Sequence, residues 1–197
     1  AFDAGGNMFL SANHEDYTGD GTNDTAVYYF DQASSLLTRV ADVGGFSGGL
    51  ALDSNGTLFY GSGSGIVSFD ATDLAAVIGG GSALTLADST LQSSSSSSYL
   101  AFDAADNLYA TRLDLSWNTE LVAIDGAGDA TVIGNGGGGH IAVVDGIVFT
   151  AGNDYSDFTS NIYAVDAIPE PSSVILLIGG FGGLAWFRTR RKYYFSR

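Results

Sequence analysis

The sequence predicts an all-β fold: a β-propeller of about four antiparallel blades over residues 1–166, read as the C-terminal part of a longer propeller, followed by one C-terminal transmembrane helix. Three observations predict it. An Asp-centred turn motif recurs every 50 residues, a second Asp-marked hairpin recurs in phase with it, and one apolar run flanked by basic charge stands apart near residue 180. The 28 glycines disfavour helices, and helical periodicity is missing from the body.

The first motif reads "FDAGGNMF" from Phe2, "LDSNGTLF" from Leu52 and "FDAADNLY" from Phe102, aligned without gaps on Asp3, Asp53 and Asp103. A shorter copy, "VDGIVF", carries Asp145 a further 42 residues along. Each reads as strand, tight turn, strand: the Asp opens the turn, Gly or Asn tolerates positive φ, and apolar and aromatic residues resume the sheet. The second hairpins are "YYFDQASSLLTRV" with Asp31, "VSFDATDLAAVI" with Asp70, "VAIDGAGDATVI" with Asp125 and "IYAVDAIPEP" with Asp166. Two hairpins per 40–50 residues are four strands per unit, the signature of a propeller blade. The blades are expected near residues 1–48, 49–98, 99–139 and 140–166, and they resemble generically the NHL and YVTN-type propellers of exported proteins. A β-sandwich or a solenoid would use similar hairpins. The fourth copy lacks an outermost strand, and the chain opens inside a blade at "AFDAGG", so upstream blades are expected. Ser93 to Ser98 and Gly136 to Gly139 fall between blades and read as flexible connections.

The end of the chain obeys different rules. Five of the seven basic residues lie beyond residue 187, so residues 1–167 carry net −19 and the rest +4. Pro169-Glu170-Pro171 comes first. An uncharged 14-residue run over 174–187 follows, with Val174, Leu176, Leu177, Phe181, Leu184, Trp186 and Phe187 among its large apolar members, and then the cluster Arg188, Arg190, Arg191 and Lys192. As a helix the run spans about 21 Å, short of a full hydrocarbon core of roughly 30 Å, and a buried core element of that length is the competing reading. The flanks favour a membrane: Trp186 and Phe187 suit the interface, and arginines just beyond it mark the cytoplasmic side. Gly179 and Gly183 form a small-residue pair that could dimerise in lipid. The order of tripeptide, short helix and basic cluster resembles the PEP-CTERM sorting signal of Gram-negative bacteria, with residues 193–197 as an extension past the point where many such signals stop. The resemblance implies export, recognition and cleavage near the tripeptide by a membrane-embedded exosortase, and association with extracellular polysaccharide, biofilm or other surface proteins. The expected location is an inner-membrane-anchored precursor, then the cell surface or extracellular matrix. The two prolines hold the cleavable peptide extended and stop a helix from running back into the body.

One loop has its own chemistry. The two hairpin aspartates of the first copy lie 28 residues apart, against 17, 22 and 21 in the others, and the surplus contains "DYTGDGTND" over residues 16–24. Carboxylates at its positions 1, 5 and 9 with Gly at 6 could wrap a hard cation such as Ca²⁺. The stretch resembles the calcium loop of FG-GAP propeller repeats, which implies Asp16, Asp20 and Asp24 as side-chain ligands and Thr22 as a carbonyl ligand; Thr18 stands where that family prefers Asp or Asn. A solvated acidic turn is the plainer reading.

No catalytic residue is assigned from the sequence. His14 and His140 are the only histidines, cysteine is absent, and "GFSGG" at Gly45 lacks the spacing of a nucleophile elbow. His140 could face a central channel. Arg39 and Arg112 are the only cations of the body that could hold an acidic sugar, and its charge repels nucleic acid and other polyanions. The expected role is a non-catalytic surface or matrix protein; the alternative is a calcium-dependent lactonase or lyase acting on extracellular carbohydrate.

Overall fold

Each strand of the body draws on Val, Ile, Tyr, Phe and Thr, and each tight turn on Asp, Asn and Gly, so the chain folds as short ladders closed by polar turns. The computed structural model describes residues 1–13, 24–45, 47–116, 118–135, 138–154 and 159–167. Residues 1–166 form one compact unit.

Among its described residues this unit is all-β apart from one short helix and one 3-10 turn, and contains four small open sheets. In the first, β1 (Met8–Asn13), β2 (Thr25–Asp31) and β3 (Leu36–Asp42) pair antiparallel in sequence order. The second holds β4 (Leu50–Leu52), β5 (Leu58–Ser62) and β6 (Gly65–Phe69). After β6 come the helix α1 (Ala71–Ile78), the two-residue strand β7 (Leu84–Thr85), the 3-10 turn Leu86–Asp88, and β8 (Thr90–Ser93), which returns to pair with β6. The third sheet holds β9 (Tyr99–Phe102), β10 (Leu108–Leu113), β11 (Thr119–Ile124) and β12 (Ala130–Asn135). The fourth holds β13 (Ile141–Val144), β14 (Ile147–Asp154) and β15 (Thr159–Asp166), three strands among the described residues.

Burial explains how the sheets associate. Phe9, Val27, Val40, Leu58, Tyr60 and Phe69, from the first two sheets, form one buried cluster; Ala51, Ile66, Leu100, Leu108, Val122 and Ile124, from the second and third, form another. The core thus lies between sheets. A sheet covered on both faces reads as a continuous apolar run, as in β10, where the first four residues are all buried. Phe59 and Phe102 meet edge-on across the second interface, ring centroids 4.8 Å apart.

The repeated Asp turn has one geometry in the first three sheets. Asp53 Oδ1 accepts the N–H groups of Asn55 and Thr57 at 2.9 and 2.8 Å. Asp3 does the same with Gly5 and Asn7, and Asp103 with Ala105 and Asn107. The backbone closes behind each carboxylate, with the N–H three residues on donating to the Asp carbonyl oxygen. That residue takes positive φ: Gly6 at 83°, Gly56 at 82° and Asp106 at 60°. Asp106 accepts the strain in return for a tie to the neighbouring sheet, since its carboxylate takes the N–H and the hydroxyl of Ser54. Asp125, in the second hairpin of the third sheet, repeats the device with Ala127 and Asp129.

Several expectations need correction. Asp145 does not build the same turn. It sits with Gly146 between the paired residues Val144 and Ile147, both central residues at positive φ, 51° and 75°. That is a two-residue primed hairpin turn, which is why the fourth copy is shorter. The body is not free of helix. Asp70 opens α1 and no hairpin: its carboxylate accepts the Thr72 N–H at 2.7 Å as an N-cap, and Leu74 and Val77, three apart on one face, are buried in the first core cluster. The second repeat therefore does not supply four antiparallel strands in succession. Its β7 leaves to pair parallel with β3, through Ala41 with Leu84 and Asp42 with Thr85. Nor is the serine run a loose connection. Ser93 and Ser97 are buried, and the Ser93 hydroxyl donates to Gly128 O at 2.6 Å. Of the glycine run, residues 136 and 137 lie outside the described residues, and Gly139 N–H donates to Ala151 O at 2.7 Å.

Two stability outcomes arise from this chemistry. Replacing Asp70 by Ala removes the N-cap of α1 and should cost about 1 kcal/mol in urea unfolding, with a small loss of helical circular dichroism. The Asp103 carboxyl is held below its ordinary value of 3.8: partial burial pushes it up, but bonds from the Asn107 side chain and N–H, the Ala105 N–H and the Tyr109 hydroxyl outweigh that. A depressed folded pKa contributes stability that is fully present above the ordinary value and is lost as pH falls through the folded one. Asp103→Asn should thus lower stability by about 1–2 kcal/mol at neutral pH. The gap in melting temperature between wild type and variant should close as the pH drops below about 4.

Candidate functional site

Just before the first strand of the second, third and fourth sheets the chain is built of small residues: Ser47-Gly48-Gly49, Ser97-Ser98 and Gly138-Gly139. Small side chains let the backbones converge. A Cβ on Gly48 would lie 1.6 Å from Gly61 O, and one on Gly49 2.7 Å from the Tyr99 Cα, so only glycine fits either position. The same stretches extend the ladders inward. Gly61 N–H donates to Gly49 O at 2.9 Å, and Ser98 N–H to Thr111 O at 2.8 Å.

Direct contacts join neighbouring sheets at this end. The Ser11 hydroxyl donates to Gly48 O at 2.7 Å, joining the first sheet to the second. Ser97 N–H donates to Ser62 O at 2.9 Å, joining the second to the third. The rings of Tyr99 and His140 meet at 4.5 Å, tilted by 55°, joining the third to the fourth. Between them lies a cavity of about 800 Å³, lined by these residues with Phe9, Leu10, Leu50, Leu100 and Ile141. Its described lining holds no Asp, Glu, Lys or Arg. A second cavity of about 500 Å³ shares Ser98, Tyr99, Gly138 and His140 with the first and adds Thr111, Arg112 and Thr119.

Two hydroxyls in these walls are buried without a hydrogen-bond partner. They are Ser97 Oγ, in a residue 5% exposed, and Thr111 Oγ1, in one 1% exposed. His140 is exposed at the shared rim. The two body arginines are engaged: Arg112 Nε donates to Glu120 Oε2 at 2.8 Å and its Nη1 to Ser95 Oγ at 2.9 Å, while Arg39 pairs with Asp42. Both therefore meet carboxylates of their own sheet. Sequence reasoning singled out His140 but missed Tyr99, Ser97 and Thr111. The available signal was phase, since Ser47, Ser97 and Gly139 each stand six residues before a repeat Asp.

Of the expected calcium ligands, Asp24 is described. It is 4% exposed where the chain enters β2, beside Gly44. Asp16, Asp20 and Thr22 lie outside the described residues, as does His14. Among the described residues no three His, Cys, Asp or Glu side chains gather as a metal site. A buried carboxylate fits a hard cation in chemistry, and the geometry of the loop is not described. The expected membrane run over 174–187, Pro169-Glu170-Pro171 and the basic cluster also lie outside the described residues. Among those described, no helix is long and apolar enough to cross a membrane.

Comparison with solved structures finds a crystal structure of a protein from Lactobacillus plantarum, 15% identical, with a TM-score of 0.37; the match covers 83% of this chain and 54% of that one. The chain thus spans about half the length of that protein, and a likeness so distant carries no argument about function. No curated protein matches the chain. The PEP-CTERM protein-sorting motif matches residues 167–192, the stretch that contains the Pro-Glu-Pro tripeptide, the apolar run and the basic cluster. The chain therefore carries a PEP-CTERM protein-sorting motif, which implies export, a membrane-anchored precursor and an exosortase as its processing partner.

Proposed function

We propose that this is a non-catalytic, surface-displayed or matrix-associated protein whose body is a β-propeller and whose sorting motif is cut by an exosortase. The observation that carries the reading is the motif at residues 167–192, placed directly after a compact β unit that ends at Asp166. In this reading the four sheets are successive blades near residues 1–48, 49–98, 99–139 and 140–166. Their cores between neighbouring sheets and their first strands around one cavity support it. The body's net charge of −19 suits a protein that avoids polyanions, nucleic acid included, and its partners would be extracellular polysaccharide or other surface proteins.

Within the motif, Val174, Leu176, Leu177, Phe181, Leu184, Trp186 and Phe187 would hold the precursor in the inner membrane. Arg188, Arg190, Arg191 and Lys192 would stay on the cytoplasmic side. Pro169, Glu170 and Pro171 would present an extended peptide to the enzyme. Expression with and without an exosortase, followed by mass spectrometry of the mature chain, tests this. Loss of the residues beyond the tripeptide only when the exosortase is present is the expected result. Retention of residues 188–197 in both cells would leave a plain membrane anchor. The processed body, assayed on lactones and neutral glycans, should bind without turnover.

The acidic loop is proposed as a calcium site, with Asp16, Asp20 and Asp24 as carboxylate ligands and Thr22 as a carbonyl ligand; the burial of Asp24 and the spacing of the loop support it. Calcium at about 100 times its dissociation constant should stabilise the fold by about 2.7 kcal/mol. Asp20→Ala should abolish the rise in melting temperature; an unchanged rise in that variant would reduce the loop to a solvated turn.

A further inference from the structure

We propose that Asn55 is a glycosylation site, whose side-chain amide accepts a glycan from a lipid-diphosphate donor while the chain is exported. This goes beyond the role given to the body above and rests only on export, which the sorting motif implies.

The residues are Asp53-Ser54-Asn55-Gly56-Thr57. An Asn followed, after one residue other than Pro, by Thr or Ser is the acceptor pattern for N-linked glycans. The fold itself does not ask for these side chains. The Asp turns of the first three sheets share one geometry, so together they show what the turn needs. Where Asn55 stands, the other two have Gly5 and Ala105, so no polar side chain is needed there. Where Thr57 stands, they have Asn7 and Asn107, whose Nδ2 groups donate to Oδ2 of the clamping Asp at 3.0 and 2.8 Å. The second turn gives up that contact. Its Asp53 Oδ2 meets Asn55 Nδ2 at 3.5 Å, the far limit of a hydrogen bond. Both departures from the repeat fall in one turn, and together they complete the acceptor pattern.

Access separates this pattern from its other occurrence in the chain. Ser54, Asn55 and Gly56 are exposed in the turn that joins β4 to β5. A glycan on Asn55 therefore extends into solvent and displaces no core residue. The other match is Asn23-Asp24-Thr25. There Asp24 is 4% exposed and Thr25 0%, and Thr25 Oγ1 lies 2.9 Å from Asn13 Oδ1 and 2.6 Å from Gly45 O. The hydroxyl that a transferase must hold is thus taken by the core. Charge separates the two as well: Asp53 puts a carboxylate two residues before Asn55, a group that a basic pocket reads, whereas Gly21 stands at that place before Asn23. In the transfer, Asn55 Nδ2 forms a bond to the anomeric carbon of the donor sugar. The bond from that carbon to the diphosphate oxygen breaks, the lipid diphosphate leaves with the electron pair, and the nitrogen gives one proton to a base of the transferase.

The full chain is directed to the periplasm of two strains that make an undecaprenyl-diphosphate-linked heptasaccharide, one with and one without a bacterial oligosaccharyltransferase. Chain recovered from the periplasm is digested, and mass spectrometry reads each Asn. One heptasaccharide on Asn55 and none on Asn23, only where the transferase is present, is the expected result. Thr57→Ser should keep the glycan, and Thr57→Ala should lower its occupancy by about a hundredfold. Asn55→Gln should remove it without shifting the melting temperature. Thr57→Asn should also remove it, with a melting temperature at or above that of the wild type, because it returns the side chain that closes the other two turns. A bare Asn55 in periplasmic chain would overturn the proposal. So would occupancy that survives Thr57→Ala, or equal occupancy of Asn23. Processing by an exosortase is scored separately at the other end of the same chain. A processed chain that is bare at Asn55 sinks only the glycan site, and a glycosylated chain that is not processed sinks only the sorting reading.

Discussion

A carboxylate accepting two backbone N–H groups, two and four residues ahead of it, sets the geometry on which the rest of the body depends. Asp3, Asp53 and Asp103 each clamp a five-residue turn in this way, and each turn fixes where the strand after it begins, β1, β5 and β10 respectively. Side-chain direction alternates along a strand, so a turn one residue longer or shorter would send every core residue to the wrong face. With the turn fixed, Leu58 and Leu108 fall at equivalent places and both are buried between sheets. The clamp is local, yet the face that each sheet offers to its neighbour is a consequence of it.

Packing between sheets then determines what happens at their inner ends. Covered sheets draw their first strands together, and the glycines and serines there decide how close the backbones come. Gly48 and Gly49 admit contact at distances that no side chain would survive. Ser97 Oγ, packed against Gly61, and Thr111 Oγ1 are enclosed without partners. The cavity walls and the density of the core are thus two results of one arrangement, which places the polar cost of the fold at the point where the sheets converge.

Much of this was legible in the sequence, and the failures share a cause. The period of 50 between Asp3, Asp53 and Asp103 located the sheets because their turns are short-range chemistry. Asp70 misled because an Asp turn and a helix N-cap begin alike, with the carboxylate accepting the N–H two residues on. The succeeding residues separate the two: Asn-Gly after Asp53 permits positive φ and closes the turn, whereas Leu-Ala-Ala after Asp73 propagates a helix. Asp145 misled in the opposite sense, because Asp is also a favoured residue in two-residue primed turns. The serine run looked loose by composition, but burial at Ser93 and Ser97 comes from residues far along the chain. The cavity was hidden for the same reason. Its walls are residues of no fixed type, contributed by all four repeats, and only their phase relative to the Asp turns connects them.

The crossing of β7 gives the chain an order of assembly. Leu84 and Thr85 belong to the second repeat in sequence but to the edge of the first sheet in space. A chain that emerges from its amino end therefore holds the first sheet with one edge open until residue 85 is free. The edge that β7 covers is meanwhile a template for pairing with other chains. During translocation across a membrane the first two repeats would then mature as one cooperative block, while the third sheet, whose four strands succeed one another without interruption, can close as soon as its last strand is released. A two-residue strand contributes little area, yet it ties the second repeat to the edge of the first sheet.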